Sequence, residues 1–218
     1  MAAPLPVPLA ADPAVPAGDG GRRAAERIGP NAVNRLAEAL AERVGPAAPR
    51  RLFESCGLAC HLESPPAHMV DEREVAMLHR AVATRFDPAT AQAVARSAGV
   101  RTADYLLAKR IPRPVQWLLR ALPPRPASRL LLQAIGRNAW TFVGSGRFLV
   151  TPGAPLRITI ADCPLCRDGE PGAPPACAYY AATFERLFRV LVAPTTEVGA
   201  AGCMAAGAPA CAFDVTWR

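Results

Sequence analysis

Five of the seven cysteines of this 218-residue chain fall in its last quarter, as Cys163, Cys166, Cys177, Cys203 and Cys211. That clustering limits the fold more than any other feature. The Cys163-Pro164-Leu165-Cys166 spacing suits a tight turn that directs two thiolates at one ion. Cys203 and Cys211 bracket a loop between two segments that read as closing strands, so closing that hairpin brings their sulfurs together. Cys177 opens the helix between the two halves and can point back at the same place. Zn²⁺ suits such a set, because it takes tetrahedral thiolate coordination and keeps the thiols deprotonated. Five thiols compete for four positions, and Glu197 is the available oxygen ligand.

Two other readings compete. Cysteine is among the most readily buried residues, so free core thiols are one. A redox pair at Cys163 and Cys166 is the other, although such pairs normally open a helix behind a strand, whereas Pro171 to Pro175 follows here. Ferredoxin spacing is absent. Cys56 and Cys60 lie near His61 and His68 and read as ordinary residues at helix ends.

With 51 % hydrophobic and 20 % charged residues, the chain is neither disordered nor fibrous. Its apolar runs stop well before the 18 residues or so of a membrane span. Pro4, Pro6 and Pro8 interrupt any signal-like stretch, so a cytoplasmic, reducing location is expected. Residues 1–21 read as a disordered Ala/Pro-rich arm and 22–218 as one domain, with 144–218 its metal-binding hairpin, helix and hairpin. The net charge of +7 is concentrated between Arg101 and Arg137, where eight basic residues face one acid, Asp104. Such a patch fits an anionic lipid, an acidic protein or a carboxylated ligand. Nucleic acid is disfavoured, since no zinc finger, helix-turn-helix or aromatic-studded strand accompanies the charge.

Apolar periodicity predicts helices over 32–44, 50–58 and 71–86, with a loop around His61 and His68. Asp87 caps a further helix, with Pro88 at its first position, and Gly99 ends it. Three more helical pieces are expected over 102–109, 114–122 and 127–142. Their broad apolar faces, which include Trp117 and Trp140, suit either the core or a large ligand cavity rimmed by Arg. Beyond Gly144 the pattern turns to strands over 147–150 and 156–161, a helix over 178–192, and closing strands over 197–200 and 212–217. Glu185, Arg186 and Arg189 leave that last helix for solvent. The expected class is α+β, with N-terminal helices and an antiparallel sheet formed mainly by the C-terminal half.

The segment Cys177-Ala-Tyr-Tyr-Ala-Ala-Thr-Phe-Glu-Arg-Leu-Phe, followed by Cys203-Met-Ala-Ala-Gly-Ala-Pro-Ala-Cys211, resembles the four-vinyl-reductase domain family. Cys163-Pro-Leu-Cys166 ahead of it makes the chain similar to the members that serve bacteriochlorophyll biosynthesis. The resemblance implies a Bet3-like fold, a homodimer and one structural zinc per chain held by three Cys and a Glu. Cys177, Cys203 and Cys211 match the three Cys, while the Glu position falls on Ala200. The fourth ligand is thus expected to be Cys166, with Cys163 as a near-equal competitor.

Family members carry the name 4-vinyl reductase, yet no cofactor site is legible here. The implied role is therefore a tetrapyrrole-binding accessory protein. It would carry a porphyrin or chlorophyllide to a pathway enzyme such as the magnesium chelatase, with Arg110, Arg113, Trp117, Arg120 and Trp140 as the ligand contacts. The C8-vinyl reductase itself and a non-catalytic interaction scaffold are the alternatives. A peripheral membrane contact is compatible with the charge.

Overall fold

Helices fill the N-terminal two-thirds of the chain and an antiparallel sheet the remainder. The computed structural model describes residues 26–169 and 176–218. The expected arm over residues 1–21 and the Pro171 to Pro175 junction lie outside the described residues.

In chain order, strand β1 (Arg27–Ile28) leads to helices α1 (Asn31–Arg43), α2 (Ala48–Ser55) and α3 (Cys60–Glu63). Strand β2 (Val70–Asp71) pairs antiparallel with β1. Five helices follow: α4 (Glu72–Arg85), α5 (Pro88–Lys109), α6 (Arg113–Ala121), α7 (Pro124–Arg137) and α8 (Trp140–Val143). Strands β3 (Arg147–Thr151) and β4 (Leu156–Ala161) form a hairpin, α9 (Ala178–Leu191) crosses the sheet, and β5 (Glu197–Gly202) and β6 (Cys211–Thr216) close it. The sheet order is β3-β4-β6-β5, antiparallel throughout. No helix among the described residues is long and apolar enough to cross a membrane.

Local chemistry sets the helix starts. The Asp71 carboxylate accepts from the Arg73 amide at 2.8 Å, and Glu72 and Glu74 follow in the first turn of α4. Asp87 accepts from the amides of Ala89 and Thr90, both at 3.1 Å, and Pro88 takes the first position of α5.

Gly99 does not end that helix, which continues as one element to Lys109. Glycine serves packing here: a Cβ at Gly99 would collide with the Tyr179 carbonyl oxygen of α9. The Thr183 hydroxyl donates to the Gly99 carbonyl at 3.1 Å, and Thr102 and Tyr179 share a buried hydroxyl contact at 2.9 Å. The predicted helix over 127–142 begins earlier, at Pro124, and breaks at Asn138, whose side-chain amide donates back to the Ala134 carbonyl at 2.9 Å. His61 lies in α3 and not in a loop, and Val44 falls past the end of α1, partly exposed.

On the inner face of the sheet, Leu156, Ile158 and Ile160 of β4 align with Val215, Phe213 and Cys211 of β6, all buried. Opposite them stands α9, whose Phe184 meets the Phe213 ring at 5.8 Å. On the outer face, Arg157 forms a two-pronged pair with Asp214 at 2.7 and 2.8 Å. Glu185, expected at solvent, turns inward: it accepts from the Val198 amide at 3.2 Å and pairs with Arg96 and Arg189.

Candidate metal centre

Each cysteine of the C-terminal group is delivered by a different backbone device. After β4, Asp162 takes a positive φ of 54° and turns the chain. The Cys166 and Arg167 amides then both donate to the Cys163 carbonyl, at 3.0 and 2.9 Å, closing the tight turn that the two-residue spacer requires. Cys177 sits at the N-cap of α9, where the helix dipole favours a thiolate. Cys203 follows β5, and its carbonyl accepts from the Ala206 and Ala208 amides, both at 3.0 Å. Gly207, at φ +85°, completes that turn in the left-handed region, where glycine carries no steric cost. Cys211 opens β6 on its inward-facing register.

These devices bring four sulfurs together. The Sγ atoms of Cys166, Cys177, Cys203 and Cys211 lie within 4.8 Å of one another, and all four residues are buried. Cys177 and Cys203 are 3.5 Å apart at sulfur, and none of the seven cysteines forms a disulfide. Thiolate–zinc bonds of about 2.3 Å at tetrahedral angles put sulfurs about 3.8 Å apart. A cluster of four cysteines able to coordinate a metal is therefore present.

Cys163 lies beside this group, against Cys166 and Cys211, but outside it. Its backbone amide donates to the Met204 sulfur at 3.3 Å. Glu197 starts β5, paired with Thr216, and the whole strand separates it from Cys203. Six residues at about 3.3 Å each make roughly 20 Å, which removes its carboxylate from the cluster.

The cluster's electrostatics call for a cation. Cys166 first, then Cys203, push the Cys177 thiol far up, and the neighbouring thiols likewise raise Cys203. Cys166 is drawn down to about 5, mainly by thiol donation from Cys163. Such a set shares protons until a metal's charge replaces them.

A second buried group fastens the cysteine turn to the helical half. Glu72 is 2 % exposed; it accepts from the amide and the hydroxyl of Ser145, both at 2.7 Å, and is ion-paired with Arg167, the residue after Cys166. Burial pushes the Glu72 carboxyl up, but the Ser145 donors and Arg167 outweigh it and hold it below its ordinary value. Gly144, at φ +54°, has no room for a Cβ beside that carboxylate. In the sequence, Glu72 reads only as an acid opposing a helix dipole. Residues so far apart in the chain carry no spacing that would unite them.

Arg110, Arg113 and Arg120 are exposed, as expected of ligand contacts. Trp117 and Trp140 do not line an interior cavity: they are 73 % and 47 % exposed. The apolar faces around them divide, with Leu119, Leu131 and Leu132 filling the core and the two indoles left outside. Nor do the indoles share a helix packing unit, since α6 packs on α9 and α7 while α8 packs on β1. A cleft lined by Leu36, His79, Val82 and Ala95 has a volume of about 10 Å³, room for a water and not for a macrocycle.

The family model of the four-vinyl-reductase domain matches residues 156–216, the span from β4 to β6 that contains all five clustered cysteines. The chain is 42 % identical over 196 residues to the bacteriochlorophyll synthase 23 kDa chain of Cereibacter sphaeroides, covering 90 % of this chain and 93 % of that protein. It is 37 % identical over 188 residues to the protein of the same name from Rhodobacter capsulatus, covering 86 % of this chain and 85 % of the relative. Identity of this level along nearly the whole of both proteins, with the domain match on the cysteine-bearing half, shows that the chain belongs to the four-vinyl-reductase-domain family of bacteriochlorophyll synthase 23 kDa chains.

Proposed function

We propose that the chain serves bacteriochlorophyll biosynthesis as a non-catalytic carrier, holding a porphyrin or chlorophyllide and presenting it to a pathway enzyme such as the magnesium chelatase. The names of its relatives support the pathway. The carrier role rests on one observation: Trp117 projects from α6 with 73 % of its surface exposed, between Arg113 four residues before it and Arg120 three residues after it. Those intervals put all three side chains on one helix face. Neither Arg has a carboxylate partner among the described residues. An indole offers a flat apolar surface to a macrocycle, and guanidinium groups on either side suit its carboxylate edges.

In this reading Cys166, Cys177, Cys203 and Cys211 hold one structural zinc. Four thiolates fill its coordination and leave no open position for Lewis-acid work. The ion contributes folding energy to the Gly- and Ala-rich end of the chain. The domain covers 22–218, works as a homodimer, and uses 144–218 as its zinc-closed part.

Titrating the zinc-loaded chain with protoporphyrin and following the Soret band tests the proposal. A saturable shift is expected, lost in Trp117→Ala while the circular dichroism spectrum is retained. No saturable shift in the parent chain ends the carrier reading.

A further inference from the structure

We propose that the outer face of α6 and α7 is a docking surface for an anionic lipid bilayer. The charge pattern argues first. No Asp or Glu occurs between Asp104 and Asp162, whereas seven basic residues lie between Lys109 and Arg137. None of the seven has a carboxylate within ion-pairing distance among the described residues. Asp104 itself is taken by Arg186 at 2.7 Å. The fold leaves this run of positive charge uncompensated on one pair of consecutive helices.

The apolar residues of the same helices argue second. Ala127, Leu131 and Leu132 of α7 and Gln116 and Leu119 of α6 face inward and are buried. Leu118 and Leu130 face out beside Trp117, at 50 % and 42 % exposed. Their neighbours on that outer side are Arg113, Arg120, Arg125 and Arg129, all exposed. Each short helix thus has a core face and a second, mixed face of Arg with large apolar side chains.

That mixture selects the partner. A phosphodiester backbone would use the guanidinium groups but gives Leu118 and Leu130 nothing to bury against. The headgroup boundary of a bilayer accepts both: phosphates pair with Arg, Trp sits at the interface, and leucines enter the acyl edge. Helices too short to span a membrane lie in its plane without difficulty. The inference does not depend on pigment binding, and part of the face, Arg125, Arg129 and Leu130, lies outside the proposed macrocycle site.

The test is flotation of the full-length, zinc-loaded chain with vesicles of phosphatidylcholine and phosphatidylglycerol in a three-to-one ratio, against phosphatidylcholine alone, with no porphyrin present. Binding is expected to the anionic vesicles only, weakened by salt, with a blue shift of tryptophan emission that Trp117→Phe diminishes. Arg125→Gln with Arg129→Gln is expected to lower partitioning about thirty-fold, from ~1 kcal/mol for each basic residue at an anionic surface, and to leave the Soret titration unchanged. Leu130→Ser weakens vesicle binding without altering affinity for a double-stranded DNA oligomer. Absence of binding to anionic vesicles at low salt, or equal binding by the double Gln variant, overturns the inference. So does a Leu130→Ser variant that binds vesicles and DNA as the parent does, which marks an undifferentiated polyanion site. A Soret shift without vesicle binding defeats this inference and spares the carrier; vesicle binding without a Soret shift does the reverse.

Discussion

Replacing Arg167 with methionine leaves the Glu72 carboxylate buried at 2 % exposure with the Ser145 amide and hydroxyl as its remaining donors. Removing one member of a buried ion pair costs about 3–5 kcal/mol when the other is left with nothing. Two Ser145 hydrogen bonds persist here, and the Arg167 side chain is itself 28 % exposed, so water reaches the gap. The expected loss is therefore smaller, about 2–3 kcal/mol. Glu72→Gln removes the charge and keeps an acceptor for Ser145; Arg167 then retains Asp168 at 3.8 Å and solvent, so about 1 kcal/mol is expected. The double variant should cost less than the sum, with a coupling above about 1 kcal/mol. Urea unfolding of the four proteins, zinc-loaded at neutral pH, reads this directly. The pH dependence has a defined sign. The Glu72 carboxyl lies below its ordinary value when folded, so the stability it contributes is complete above the unfolded value of 4.5 and is lost as pH falls through the lower folded value. A coupling indistinguishable from zero refutes the reasoning, because the cysteine turn would then not be fastened to α4 through this pair.

His79 is 3 % exposed and burial draws it down to about 4, so it folds neutral. The unfolded chain binds a proton there at 6.5 and the folded chain does not, so stability falls as pH drops from 6.5 towards 4, by up to about 3 kcal/mol. His79→Gln should flatten that slope in urea titrations run across the window. Gly99→Ala forces a Cβ into the Tyr179 carbonyl and should cost about 3 kcal/mol or more by separating α5 from α9; an unchanged thermal midpoint would show that the two helices do not meet there. Cys203→Ser should release the metal and lower the unfolding midpoint, whereas Cys163→Ser, outside the four-sulfur group, should keep one ion per chain in elemental analysis.

Legibility in the sequence followed how local each cause was. Asp71 and Asp87 cap the helices that they were expected to start, because capping is decided within three residues. The alternation of Leu156, Ile158 and Ile160 located β4 to the residue, since one face of the strand is core and the other solvent. Gly99 misled because a glycine that stops a helix and one that admits a neighbouring backbone look alike in a sequence; only the approach of Tyr179 separates them. Trp117 misled for a related reason, as its helical stripe continued the core's periodicity and nothing local showed which side of α6 the rest of the fold would cover. The cysteine cluster was partly legible. Close spacing pointed to Cys163 and Cys166 as a pair, but which sulfur turns inward depends on the turn after Asp162. The Glu72, Ser145 and Arg167 group was not legible, since only the packing of α4 against the loops at Gly144 and Arg167 creates it.

Elemental analysis of the purified chain together with X-ray absorption at the metal edge tests the four-sulfur centre most directly. One zinc per chain with four sulfur neighbours at about 2.3 Å is the predicted result. A natively folded chain that holds no metal and unfolds at the same temperature after chelation, or a metal surrounded by nitrogen and oxygen, contradicts it.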